Sequence, residues 1–322
     1  MINRRLLRIK VMQAIYAYRQ SNETNLQIAE KQLFVSIEKL HELFVWQLSF
    51  LVELKLFAER RIEENRNKHL PTEADLNPNM KFVSNRILNT LENNRHLLSL
   101  EDKYKINWAE HREDFIRSFY NRMLNFAEYQ EYMENGENSF ADDKKFLVSL
   151  IDNHIPEDES IYDFFADRDL AFNSDYPVAV FQLWRFMSDL SSTFNEQSRL
   201  PMSATGAKND TSDDDEQFAR KLFELTVLRT DEYSEMLRKI TPNWDFDRLA
   251  LMDVILVSMA ITEFREFHFI PVKVTINEYI EISKYYSTAE SRRFVNGLLD
   301  KLANDLKAEG KLVKTGPGLI DK

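Results

Sequence analysis

The chain has 322 residues and a formal net charge of −11, from 53 acidic and 42 basic side chains, and it contains no cysteine. The last fact excludes disulfides, thiolate zinc sites, iron–sulfur clusters and any cysteine nucleophile. Six glycines and eight prolines are few for this length, which favours long helices, and with little strand-like alternation the chain reads as all-α.

Residues 3–20 read as the first helix. At about 100° per residue, Leu7, Val11, Ala14 and Tyr18 share one sector, taken as the core face. Arg4, Arg5, Arg8, Arg19 and Tyr16 fall in an adjoining sector, and Lys10 lies on the other flank. No acid occurs before Glu23, so an acidic protein begins with a wholly basic helix. Read alone, a basic face is a solvated edge; its uniform sign in this chain makes it a candidate phosphate-binding surface.

The capping-box pattern Thr24 to Gln27 opens a second helix that runs to about Asn67 without Pro or Gly. Phe34, Ile37, Leu40, Phe44, Leu48 and Leu51 form its buried stripe. Residues 69–79 break it. Further helices are expected at 79–94, 107–134, 140–153 and 177–197, with Asn107 and Glu110 opening the second of these and Gly136 closing it. Aromatics crowd this region, among them Trp108, Phe115, Phe119, Tyr120, Phe126, Tyr129 and Tyr132. At helical spacing they read as core rather than as base-stacking platforms.

Residues 198–216 are polar, rich in small side chains and end in an acidic run, and are the best linker in the chain. The Asp-Asp and Phe-x-x-x-Leu pattern of residues 142–150 recurs at 214–222, a faint internal echo. The C-terminal block reads as helices at 214–240, 245–265, 271–286 and 288–308. Ser287 to Glu290 forms a second capping-box pattern, and residues 309–322 are expected to be a flexible tail.

No catalytic constellation is visible. There is no Gly-rich phosphate loop and no Gly-x-Ser-x-Gly, and the six histidines show no i, i+4 metal-ligand pairing. No apolar run approaches the roughly 18 residues that would span a membrane. Arg8, Lys10 and Gln13 interrupt what would be the apolar core of a signal peptide. A cytoplasmic, non-enzymatic binding protein without cofactor or metal is therefore expected.

The strongest pattern lies at residues 271–303, "PVKVTINEYIEISKYYSTAESRRFVNGLLDKLA". Its "INE" at 276–278, Lys284 and above all "FVNGLLDK" at 294–301 resemble the closing helices of the NusB family of transcription antitermination factors. "FDRLALMDVILVSMAITEF" and "EQFARKLFELTVLRTDEYSEML" resemble the two preceding family helices. "RRLLRIKVMQAIY" resembles the family's arginine-rich first helix, with Leu6 where a third consecutive arginine often stands. The resemblance spans residues 1–30 and 213–308. Family members are usually under half this length, so the long stretch between looks like an insertion. The resemblance implies an all-α, NusB-like helical bundle with a large inserted or appended helical lobe. Residues 1–50 and 213–308 would form a discontinuous RNA-binding fold, and 51–212 an inserted helical region.

What the family implies for function is binding of boxA-type single-stranded RNA together with NusE, a small-subunit ribosomal protein. Within an RNA polymerase antitermination complex this promotes ribosomal RNA transcription. The residues that would carry RNA are Arg4, Arg5, Arg8, Lys10 and Tyr16 on the first helix, and Glu290, Arg292, Arg293 and Phe294 at the start of the last. Gly297 would permit close helix packing. Two alternatives stand beside this. One is a helical protein–protein scaffold without RNA binding. The other is a module related to ribosomal RNA cytosine-5 methyltransferases, which the absence of cysteine and of a Gly-rich cofactor loop disfavours.

Overall fold

The computed structural model describes residues 4–21, 25–201, 212–240 and 250–319, with backbone alone at 212–213, 289–292, 294 and 317. Among the described residues there are fifteen α-helices and no strand. They are α1 (Arg4–Gln20), α2 (Leu26–Arg66), α3 (Glu73–Leu76), α4 (Arg86–Glu92), α5 (Arg95–Tyr104), α6 (Arg117–Met123), α7 (Ala127–Glu134), α8 (Phe140–Asn153), α9 (Glu159–Ala166), α10 (Leu170–Asp189), α11 (Ser212–Leu228), α12 (Thr230–Ile240), α13 (Leu251–Glu266), α14 (Val272–Tyr286) and α15 (Ala289–Ala308).

The chain divides into two compact units, Glu38–Met202 and a sequence-discontinuous one made of Ile2–Ile37 with Ser203–Lys322. The division falls inside α2. Each unit has a central helix that is buried on nearly every side, as expected of helices apolar all round.

In the unit 38–202 that helix is the middle of α2, where every residue from Leu43 to Lys55 is buried. The aromatics pack on it as core. Phe50 meets Trp108, Phe115 and Phe119 with ring centroids 5.9, 5.4 and 5.2 Å away. Trp46 meets Trp108 edge-on at 5.0 Å. Most polar groups in this stretch of α2 are answered, though the buried Gln47 amide has no partner among the described residues. The Trp108 indole donates to Ser49 Oγ at 2.9 Å, and Glu53 accepts from Arg60 at 2.7 Å and Arg112 at 2.6 Å. Unpaired, a carboxylate buried as Glu53 is would be costly.

Several expected helices come out shorter and more numerous. Residues 107–134 split into a π turn at Arg112–Ile116, α6 and α7. Asn107 does not start a helix; its side chain accepts from the Ala109 amide at 2.9 Å in a local turn. Gly136 does close α7, at φ +67°, a left-handed conformation that suits glycine. Residues 79–94 retain helix only at α4, capped by Asn85, whose side chain accepts from the Ile87 and Leu88 amides. α5 and α9 were not expected. Each is capped by its own acceptor, Asn94 from the Leu97 amide and Asp158 from the Ile161 amide. α10 begins before Pro177 rather than at it. Asp169 caps it, and Phe172, Tyr176, Ala179, Val180, Leu183 and Met187 bury both halves, which outweighs the hydrogen bond lost at the proline.

In the discontinuous unit the central helix is α13, buried from Asp253 through Phe264. α1 packs on α11, α13 and α14, and α13 also contacts α12 and α15. α2 is opened by Asn25, whose side chain accepts from the Gln27 amide at 2.9 Å; Thr24 lies outside the described residues. The Ser287 hydroxyl donates to Asp253 of α13, tying the turn before α15 to that helix; the Glu290 side chain of the expected capping box lies outside the described residues. Gly297 is exposed and no atom lies within 4 Å of where its Cβ would stand, so close packing is not its role. The residues after α15 do not extend freely. His268 Nδ1 and the Val313 carbonyl are 2.6 Å apart, and the Thr315 amide donates to the His268 carbonyl at 3.1 Å. Lys314 donates to the Phe267 carbonyl at 3.0 Å, placing a cation at the C-terminal end of α13. The echoed Asp-Asp pairs sit in the first turns of α8 and α11, where the helix dipole favours acids without any duplication.

Candidate nucleic-acid interface

The basic residues of α1 separate into an inner and an outer set. The core stripe is wider than the sequence periodicity suggested. Leu7, Val11, Met12 and Ile15 are buried, and so are Arg8 and Lys10. Arg4, Arg5 and Tyr16 are exposed.

Arg8 is 3 % exposed and makes a two-pronged pair with Glu263 of α13, Nε to Oε2 and Nη2 to Oε1, both 2.8 Å. Thr275 of α14 donates to Glu263 Oε1 at 2.7 Å, and the Tyr279 hydroxyl to Oε2 at 3.3 Å. The guanidinium also lies 5.3 Å from the Phe218 ring centre and 5.9 Å from that of Tyr279. Burial alone would lower the Arg8 pKa, but the charge and hydrogen bonds of Glu263 outweigh it and hold the guanidinium above its ordinary value. Burial and the Glu263 charge push the Tyr279 hydroxyl pKa well up, so it stays neutral and donates. The expectation that Arg8 lies on a phosphate-facing surface is corrected. Its partner is a carboxylate 255 positions away in sequence, which helical periodicity cannot see. Lys10, expected as an RNA contact on the other flank of α1, is likewise buried.

Arg5 remains outside. Its guanidinium grips Glu278 of α14, Nε to Oε2 at 2.8 Å and Nη2 to Oε1 at 2.7 Å. This hydrogen bonding raises the Arg5 pKa and lowers that of Glu278. Arg4 reaches Asp215 of α11 at 3.3 Å and lies 5.3 Å from the Phe218 ring centre. The two side chains stay 43 and 45 % exposed. With Arg8, Phe269, Pro271, Val274 and Glu278 they line a depression of about 540 Å³. Phe269 is 69 % exposed on its rim. Cations and an exposed aromatic lining one depression are the two elements that hold a single nucleic-acid strand, by phosphate pairing and base stacking. Phe269 was missed from sequence. Its signal was an aromatic just before Pro271, in a loop rather than on a helical stripe.

The second expected group lies at the start of α15. Arg293 is exposed there; the side chains of Glu290, Arg292 and Phe294 lie outside the described residues. Tyr16 is 38 % exposed, and its hydroxyl accepts from Gln20 at 3.3 Å. Among the described residues no group of three or more His, Cys, Asp or Glu side chains could hold a metal ion. Nor is any helix long and apolar enough to cross a membrane.

The NusB family model matches residues 168–304. The transcription antitermination protein NusB of Salinibacter ruber is 45 % identical over 103 residues, 32 % of this chain and 64 % of that protein. That of Chloroherpeton thalassium is 39 % identical over 104 residues, 32 % of this chain and 49 % of its own length. That of Natranaerobius thermophilus is 33 % identical over 100 residues and is covered over 72 % of its length. The chain belongs to the NusB family. The match spans about half to two-thirds of the first two NusB relatives, and the family model does not extend to α1. No solved structure matches the chain significantly.

Proposed function

We propose that this chain is a transcription antitermination factor that acts without catalysis, binding boxA-type single-stranded RNA together with NusE and promoting ribosomal RNA transcription. The observation that carries this reading is that the exposed arginines Arg4 and Arg5 line one depression together with the exposed Phe269 in a NusB-family chain. RNA phosphates pair with Arg4 and Arg5, and a base stacks on Phe269 or Tyr16. The strand continues toward Glu290, Arg292, Arg293 and Phe294. Arg8 does not touch RNA; it fixes α1 to α13 and α14 and so sets where Arg4 and Arg5 stand.

The arginines are already paired with Asp215 and Glu278, so a phosphate must displace a carboxylate. The single 3.3 Å Arg4–Asp215 contact is of the exposed kind worth about 0–1 kcal/mol, whereas the two-pronged Arg5–Glu278 pair must be exchanged for an equally two-pronged, charge-assisted arginine–phosphate contact. The same pairing is the specific observation that favours the alternative, a protein–protein scaffold in which these arginines are satisfied internally.

A salt titration of boxA-type RNA binding separates the two. Each phosphate contact to a single strand adds about −0.7 to the slope of log affinity against log salt, so Arg4→Gln with Arg5→Gln flattens it by about 1.4. Thermal melts of the same variant shift little, because both side chains are exposed. An unchanged slope and affinity in a folded double variant would leave the scaffold reading.

A further inference from the structure

The groove between α8 and α10, in the unit 38–202, is not used by anything above. We propose that it receives a cationic segment of a partner protein, with an apolar side chain entering the groove and lysines or arginines on either side.

The groove has a volume of about 320 Å³ and is walled by Pro156, Tyr176, Pro177, Phe181 and Trp184, with Asp152 the single acid in its lining. Its floor is fixed. Tyr176 is buried and its hydroxyl donates to the Ile155 carbonyl at 2.7 Å, holding the end of α8 against α10. Its rim is open. Phe181 is 54 % exposed and stacks on Trp184 with ring centres 5.9 Å apart and planes at 24°. The Trp184 Nε1–H has no acceptor among the described residues. An apolar slot with an exposed aromatic edge anchors a large apolar side chain.

Charge decides what surrounds that anchor. Residues 38–202 hold 30 of the 53 acidic and 19 of the 42 basic side chains, so the whole formal charge of −11 falls in this unit and the rest of the chain is balanced. Within 151–189 there are nine acids against Arg168 and Arg185. Asp152 and Glu157 are exposed, the first in the groove lining and the second next to Pro156. Asp152 also sits in the last turn of α8, where the helix dipole adds negative potential. Such a field repels nucleic acid and attracts a basic polypeptide.

The test uses the full chain and a fluorescent twelve-residue peptide of lysines and arginines with two central leucines. Comparison peptides carry a Gly-Ser centre, or glutamates in place of the basic residues. By anisotropy, the leucine-centred basic peptide binds at least about ten-fold more tightly than either. The double variant Phe181→Ser, Asp152→Asn weakens it by about ten-fold or more, while Glu134→Gln, on α7, does not. Melts of the double variant match wild type, since both side chains are exposed. Equal binding of the leucine and Gly-Ser peptides, equal binding by the groove variant, or no binding at all overturns the proposal. So does a wild-type dimer in sedimentation that Phe181→Ser dissolves, because the groove would then hold a second copy of this chain.

Discussion

Replacing Arg8 by glutamine separates two roles that a basic helix can have. The side chain is 3 % exposed and its partner Glu263 is fully buried. Glutamine leaves Glu263 with only the Thr275 and Tyr279 hydroxyls, a buried carboxylate without its counter-charge. Breaking such a pair from one side costs about 3–5 kcal/mol, a large part of the 5–15 kcal/mol that holds a typical domain together. Arg5→Gln breaks an exposed pair and costs about 0–1 kcal/mol. Glu263→Gln with Arg8→Met removes both charges and recovers a substantial part of the loss, because no charge remains stranded. Because the chain has two compact units, the readout should report on the one holding Arg8 in particular. The suitable readout is hydrogen exchange of peptides from α1 and α13 across a urea series, with circular dichroism alongside. Protection of those two helices should collapse in Arg8→Gln, hold in Arg5→Gln and return in part in the double variant. A loss in Arg8→Gln no larger than that in Arg5→Gln would refute the reasoning, since it would mean that the guanidinium is hydrated and its burial illusory.

Three further outcomes are expected. Hydrogen bonding to Arg5 lowers the Glu278 pKa, so the stability from this pair is fully present above the ordinary glutamate value of 4.5 and is lost as pH falls through the lowered folded value; urea midpoints of wild type and Glu278→Gln should differ most near neutrality and converge in acid. Phe50→Ala opens a cavity among Trp108, Phe115 and Phe119 and should cost about 3–5 kcal/mol, read as lost protection in α2 and α6. The Arg4→Gln, Arg5→Gln variant should flatten the salt dependence of RNA binding by about 1.4 and leave the α1 exchange pattern intact.

The helices legible in the sequence were those whose signal is local. α2, α8, α14 and α15 have long uninterrupted patterns and ends marked by a linker, a serine cap or Pro271, and the structure places them within a few residues of expectation. α5 and α9 escaped because they are ten and eight residues long, too short to show a period. The break between α6 and α7 escaped because Leu124 and Phe126 keep the apolar count high through it. Neither residue disfavours a helix, and the tertiary packing of Phe126, stacked on His154 with ring centres 3.6 Å apart, sets the chain path there.

The arginines were the harder problem. Sequence places Arg4, Arg5 and Arg8 on one side of α1 and cannot order them by depth, because depth depends on what α11, α13 and α14 bring to each. α13 brings Glu263 to Arg8, α14 brings Glu278 to Arg5, and α11 brings Asp215 to Arg4. Only the first carboxylate is fully buried, so only the first pairing is too costly to break. The same chemistry, guanidinium on carboxylate, thus makes a structural rivet at one position and an exchangeable site at the next two. That gradient explains how a helix can be both the seam of a fold and a surface for a polyanion. The inner arginine fixes the backbone, and the outer two keep their forks oriented on partly exposed acids that the proposed RNA phosphates would displace. In the other unit the acids outnumber the bases by eleven, which disfavours nucleic acid there. Under the proposed function, the half-exposed arginines of α1 are therefore where an RNA strand is expected to sit.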